Sequence, residues 1–492
     1  MLKHSFISFL LIFTLLPILQ CEKPSPDMIV VLARHGAREP LNDYYDPSWQ
    51  NPSYLMNTGI EQHYTLGNVL AREYEKLLED IYPQEIYLQS TYTSRAQMSV
   101  SAELLGMFHE RSHKHLPNTT KRDFLLPYAD KTLLNEVVDD LLKNSQMIPN
   151  RLQFLMKKTL SGRDEDLLQV TPESCSYIKQ GQIKRVDDEV NKAMQETLKG
   201  ASEQLKKLGY DIENIGQIKE FGDTLASRYS DNKPPLSGIS YDSQLYKDLV
   251  FGFQWWNIYN LLGSDFERSL RVFPLYSRLI EWFNGKANGS NPLKLVLLGA
   301  HESSMFPFLH LYNITNHTCF AENYKSQSAG KPLPFPDCKF PEVASQLIWE
   351  FYNNSGNPYI RLLYNGKPFK FCRNNKGLEC SLNDFTKELP EAASNLTKEK
   401  YGQICIKASL SESSAGDSIL TMIMGFFGAI VGLIIYLFVT KRMVFAHRYV
   451  KGAHQDMTGD IETPSASGIQ IQSPKGQYAP QVDDVSHAED DG

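Results

Sequence analysis

Residues 28–33 form an apolar run, Met-Ile-Val-Val-Leu-Ala, with no polar interruption. Such a run predicts a strand buried on both faces, as in a parallel sheet. Residues 85–90 and 293–298 predict two further strands. Between these runs the period lengthens. After the first strand Thr58 can cap a helix, Glu61 sits three positions on, and Leu66, Val69 and Leu70 face the core. After the second strand Arg95 falls in a turn, and 96–108 repeats its apolar positions at helical spacing. From 118 to 284 helical stretches dominate, including 190–208 and 246–262, with Phe251, Phe253, Trp255 and Trp256 as core residues. The expected fold is α/β: a mostly parallel sheet flanked by helices, with a helical cap inserted within about 118–284.

Two hydrophobic segments lie outside this pattern. The first, 6–19, follows Lys3 and His4 and is too short for a membrane span, so 1–21 reads as a signal peptide. The second, 419–440, carries no charge and is long enough to cross a bilayer. Lys441 and Arg442 follow at once, which orients that end toward the cytoplasm. The chain is thus expected to be a single-pass type I membrane protein with an ectodomain over 22–406, a Ser-rich stalk over 407–418, a transmembrane helix over 419–440 and a disordered tail over 441–492. Gly428 and Gly432 form a G-x-x-x-G pair in the span, read as incidental glycines.

Composition sharpens this picture in three places. The net charge of −7 and the lack of a basic stripe exclude nucleic acid as a partner. Asn118, Asn288, Asn313, Asn316, Asn353 and Asn395 each open an N-x-S/T sequon, all before the span, as expected of a glycosylated lumenal or extracellular domain. Of the seven cysteines, Cys21 belongs to the signal region, and six remain. An even set in an oxidising compartment suggests three disulfides, with fifteen connectivities open.

The candidate chemistry sits where the predicted strands end. The first is followed by Arg34-His35-Gly36-Ala37-Arg38-Glu39-Pro40, and the last by His301 and Glu302. That is the edge at which open α/β sheets bind ligands. Arginine matches phosphate bidentately, and Gly36 allows a sharp turn or a close backbone approach. The R-H-G-x-R-x-P pattern resembles the signature of the histidine acid phosphatases, the branch that includes prostatic and lysosomal acid phosphatases and phytases. A second match is Arg95-Ala96-Gln97-Met98-Ser99, similar to the family's R-x-x-M-S context. The resemblance implies that His35 is the nucleophile and that Arg34, Arg38, Arg95 and His301 bind phosphate. It makes Glu302, where the family has aspartate, the proton donor. It also implies that the cap lies over the site and that no metal or cofactor is needed. For the cysteines it implies Cys372–Cys380 and Cys175–Cys405, which leaves Cys319–Cys338.

The function that follows is hydrolysis of small-molecule phosphomonoesters through a phosphohistidine. A phytase or inositol-polyphosphate phosphatase and a catalytically weak receptor or scaffold are the alternatives. Homodimerisation is compatible with either. Tyr478-Ala479-Pro480-Gln481 lacks the terminal bulky residue of a lysosomal sorting signal, so lysosome, vacuole and cell surface all stay open.

Overall fold

The computed structural model describes residues 24–108, 158–160, 165, 167–373, 377–389 and 395–405. The signal peptide, the stalk, the 419–440 span, the tail and Asn118 lie outside the described residues. Among the described residues, no helix is long and apolar enough to cross a membrane.

The three predicted strands form and lie side by side. Strand β1 (Met28–Arg34) pairs in parallel with β3 (Leu295–Ala300), which pairs in parallel with β2 (Ile86–Ser90). Every residue of β1 and β3 is buried, as their unbroken apolar sequence requires.

The expectation of a mostly parallel sheet is corrected. On the other side of β1 the sheet continues antiparallel through β4 (Gln346–Asn354), β5 (Asn357–Tyr364) and β6 (Lys367–Phe369), with β7 (Glu379–Ser381) also on β5. The cause is local. Ser355-Gly356 and Asn365-Gly366 adopt positive φ angles of 50° and 85°, and of 48° and 74°. Two-residue turns of this kind join only antiparallel neighbours.

Alternation along β1 divides the core. Met28, Val30 and Leu32 face one cluster, whereas Ile29 and Val31 face another. The second is covered by α1 (Asn57–Glu73) and α3 (Ser94–Phe108), with the short α2 (Glu75–Leu78) beside them. Helix α1 differs from expectation at two places. Met56, not Thr58, is its N-cap, and Val69 is exposed while Leu70 is buried.

Between β2 and β3 the described chain is helical: α4 (Ser176–Val186), α5 (Glu189–Thr197), α6 (Lys199–Lys207), α7 (Ile215–Ser230), α8 (Gln244–Trp256) and α9 (Asp265–Ala287). The predicted 190–208 helix is split at Leu198 into α5 and α6. Helices α5 to α8 share a core separate from that of the sheet, with Leu198, Leu205, Ile218, Phe221, Leu249, Phe251, Phe253 and Trp255, and Tyr45, Phe306, Phe320 and Phe340 from other segments join it. Helix α9 does not belong to that core. Its Leu275, Tyr276, Leu279 and Phe283 pack on the sheet with β1, so the predicted cap boundary near 284 takes in a helix of the α/β core. Helix α10 (Glu302–Leu311) follows β3 and α11 (His317–Ser328) follows it; the short α12 (Leu382–Phe385) and α13 (Lys398–Cys405) come after the sheet.

Disulfides join Cys175 to Cys405, Cys319 to Cys338 and Cys372 to Cys380, the three expected pairings. Asn288, Asn313, Asn353 and Asn395 are exposed. Asn316 is half-buried, and its side-chain oxygen accepts the Cys319 N–H as the cap of α11.

Candidate active site

Parallel register gathers the site. Arg34 lies opposite Ala300, and the His35 N–H donates to Ala300 O at 2.9 Å. The Thr91 N–H donates to Gly299 O at 3.0 Å. The carboxyl ends of β1, β3 and β2 therefore deliver Arg34 and His35, His301 and Glu302, and Thr91 with Arg95 to one edge of the sheet. Arg95 stands in the first turn of α3 rather than in the turn expected before it. Gly36 is required by packing. A Cβ there would meet Gly59 O of α1 at 2.5 Å, and its N–H donates to Ser99 Oγ at 3.1 Å.

The nucleophile candidate is set up by one hydrogen bond. His35 Nδ1 is 2.8 Å from Gly36 O, and a carbonyl can only accept. The proton of the neutral ring is therefore on Nδ1, and Nε2 keeps its lone pair. Burial, followed by Arg95, Arg34, His301 and Arg38, holds the His35 pKa well below the usual imidazole value. The ring thus stays neutral into acid.

His301 stands 5.3 Å from His35 between ring centroids, at an interplanar angle of 65°. Its Nε2 meets Thr91 Oγ1 at 2.9 Å and Thr93 Oγ1 at 3.4 Å, while Nδ1 is buried without a hydrogen-bond partner. Burial, with Arg95, Arg34 and Arg38, depresses its pKa as well.

Glu302 is the first residue of α10. Its Oε2 lies 2.9 Å from Arg34 Nε and 3.9 Å from His35 Nε2. The Arg34 N–H is not aimed at that oxygen, so the pair is close enough to attract, yet both atoms lack a hydrogen bond. Burial acts to raise the Glu302 pKa. Arg34, Arg38, its own backbone N–H and Arg95 outweigh it, and the net direction is down.

The arginines are braced from different elements. Arg34 Nη1 donates to Pro341 O at 2.6 Å, and its guanidinium lies 5.5 Å from the Phe340 ring centre. Arg95 Nη1 donates to Ser53 Oγ at 3.0 Å; burial lowers its pKa to about 10, still charged at any acid pH. Arg38 donates to Asp223 of α7 through Nη1 at 3.1 Å and Nη2 at 2.7 Å. Below the loop, His63 bridges Arg34 O at 3.0 Å and Glu103 Oε2 at 2.7 Å, and Gln346 donates to Glu103 Oε1 at 2.7 Å.

All six residues expected from sequence converge. Asp223, Ser53, Thr91, His63 and Glu103 were not anticipated. The one sequence signal among them is Glu103, a lone charge inside the otherwise apolar and small-residue helical stretch 99–108. Among the described residues, the one metal-like grouping is Cys372, Cys380 and Glu388, and its two sulfurs are already joined.

Residues 27–365 match the sequence model of the histidine phosphatase superfamily (branch 2). The chain belongs to that family. Human prostatic acid phosphatase is 36% identical over 87 residues, covering 16% of this chain and 22% of the relative. Rat lysosomal acid phosphatase is 31% identical over 124 residues, covering 24% and 29%. Both matches span less than a third of the curated relatives' length. Among solved structures, the phytase from D. castellii has a TM-score of 0.50 at 14% identity, covering 77% of this chain and 81% of that one. At that identity the likeness shows a shared fold and nothing more.

Proposed function

We propose that this chain is an acid phosphatase that hydrolyses phosphomonoesters through a phosphohistidine on His35. The observation that carries the reading is the His35 ring. Its proton is fixed on Nδ1 by Gly36 O, and its free Nε2 stands among three guanidiniums with Glu302 3.9 Å away.

The geometry supports a two-step displacement. A phosphate ester places its non-bridging oxygens against Arg34, Arg38 and Arg95, whose charge offsets that of a loose transition state. The His35 Nε2 lone pair forms the N–P bond as the P–O bond to the leaving group breaks. Glu302 gives its proton to the departing oxygen. A water then loses a proton to Glu302 and attacks phosphorus. The P–N bond breaks, inorganic phosphate forms, and His35 returns to its neutral state. His301, with Nδ1 unpartnered, supplies a ring nitrogen to the phosphoryl group.

Protonation of Glu302 is tied to substrate. In the empty site the arginines hold its pKa down. A bound dianion offsets those arginines and restores the proton.

Three disulfides, the exposed sequons and the charge-free 419–440 segment before Lys441 support an ectodomain in a lumen or outside the cell, carried on a type I anchor. Protease treatment of sealed vesicles should remove the tail alone. Digestion of the ectodomain with a protected tail would reverse the orientation.

The assay for the function is turnover of an aryl phosphate across acid pH by the full chain and by His35→Ala. Loss of turnover in the variant, with the fold intact, is expected. Activity near wild type in His35→Ala would refute the assignment.

A further inference from the structure

Arg38 is held by a carboxylate that belongs to neither the signature nor the His-Glu pair. Asp223 Oδ2 accepts from Arg38 Nη1 at 3.1 Å and from the Leu41 N–H at 2.9 Å, while Oδ1 accepts from Arg38 Nη2 at 2.7 Å. Both partners are buried, Arg38 at 5% and Asp223 at 3% exposure. Paired terminal nitrogens on paired carboxylate oxygens fix the plane of the guanidinium as well as its position. The Leu41 N–H anchors the same carboxylate to the chain just past the signature.

Asp223 is on α7, in the helical segment, and it does not act alone. Arg228 of the same helix pairs with Asp46, and Asp231 just beyond it accepts from Thr58 Oγ1 at 3.3 Å. The stretch 38–58, which carries Arg38 and Ser53, is thus tied to α7 at two points and to the residue that follows it at a third. The charge of Asp223 also reaches the other two guanidiniums, raising the pKa values of Arg34 and Arg95 against the larger effect of burial.

We infer that Asp223 is a positioning residue for phosphoryl transfer: it sets the orientation of Arg38 and couples the helical segment to the phosphate site. Its two oxygens accept three hydrogen bonds, so its role is to hold rather than to give a proton. Glu302 keeps the acid role. This inference rests on the phosphatase reading of the site.

The test is a double-mutant cycle in the full chain, with Asp223→Asn, Arg38→Met and the pair. Asparagine keeps the shape and one acceptor for Leu41 N–H but loses the charge-assisted fork. Asp223→Asn should lower kcat for an aryl phosphate by about tenfold or more, since an oriented guanidinium acts chiefly in the transition state. In the Arg38→Met background the same change should cost nothing further. Unchanged kcat in Asp223→Asn, or an equal loss in both backgrounds, overturns the inference. Asp223→Glu, which restores the carboxylate one methylene longer, should recover part of kcat and so separates charge from folding. If the wild type hydrolyses no phosphomonoester, the functional reading fails by itself. The cycle is then read on the affinity for inorganic phosphate by calorimetry. An Asp223→Asn effect that vanishes with Arg38→Met supports positioning, and none, or an equal one in both backgrounds, overturns it.

Discussion

Glu302→Gln tests the proposed proton donor, because it removes the ionisable carboxyl while preserving shape. Two effects follow from its place 3.9 Å from His35 Nε2 and 2.9 Å from Arg34 Nε. General acid catalysis is worth about 10²- to 10⁴-fold, which is the loss expected when the leaving group is an alkoxide that needs the proton. The second effect runs the other way. In the empty site the arginines hold Glu302 toward its ionised form, and that charge opposes entry of a phosphoryl anion. Removing the carboxylate therefore relieves repulsion on the incoming phosphoryl anion. Aryl phosphates, whose phenolate leaves without much protonation, should show a lowered KM and a small loss of kcat. Alkyl phosphates should lose at least about a hundredfold in kcat. Glu302→Asp should keep substantial activity on both. The assay is steady-state turnover of a series of esters graded by leaving-group acidity. A glutamine variant that slows aryl and alkyl esters equally and modestly refutes the assignment, and another residue must then donate the proton.

Gly36→Ala should abolish turnover and lower the unfolding temperature, because the new methyl meets Gly59 O at 2.5 Å and backbone cannot yield as a side chain can; wild-type activity in this variant would contradict the packing. His310 is pushed down to about 4 by burial and then by Arg268, so the unfolded chain takes up this proton before the folded one does. Stability present above pH 6.5 is then lost between 6.5 and 4, by about 3 kcal/mol at most for this residue. His310→Gln should flatten the fall of the melting temperature across that window, and an unchanged slope would refute the shift. Removing the Cys175–Cys405 bridge, which closes 230 residues, should cost about 5 kcal/mol by chain entropy, against about 2.5 kcal/mol for Cys372–Cys380, which closes 8. Denaturant midpoints of the paired alanine variants check the order.

The sequence reveals the site more fully than the sheet. Arg34, His35, His301 and Glu302 are legible because each directly follows a strand marked by an unbroken apolar run, and parallel pairing of those runs brings their ends together. The antiparallel half is less legible: Asn365-Gly366 is a hairpin signal, but the segments it joins, 357–364 and 367–369, are short and mix charged residues and proline with apolar ones. The exposure of Val69 shows the limit of helical periodicity, since it fixes a face but not where that face ends. Helix α9 looked like cap because it continues the helical segment, and only its packing on β1 assigns it to the sheet layer. Asp223 and Ser53 could not be paired with Arg38 and Arg95 from spacing, because those contacts join segments 185 and 42 residues apart through tertiary folding alone.

The central claim is that His35 carries the phosphoryl group. Wild-type protein mixed with an excess of phosphorus-labelled aryl phosphate, quenched and then denatured, should hold close to one label per chain. Digestion should place that label on the peptide containing His35, as an acid-labile, base-stable adduct on the ring nitrogen Nε2. His35→Ala should hold none. Label on another residue, or full turnover with no trapped adduct at any quench time, would contradict the account.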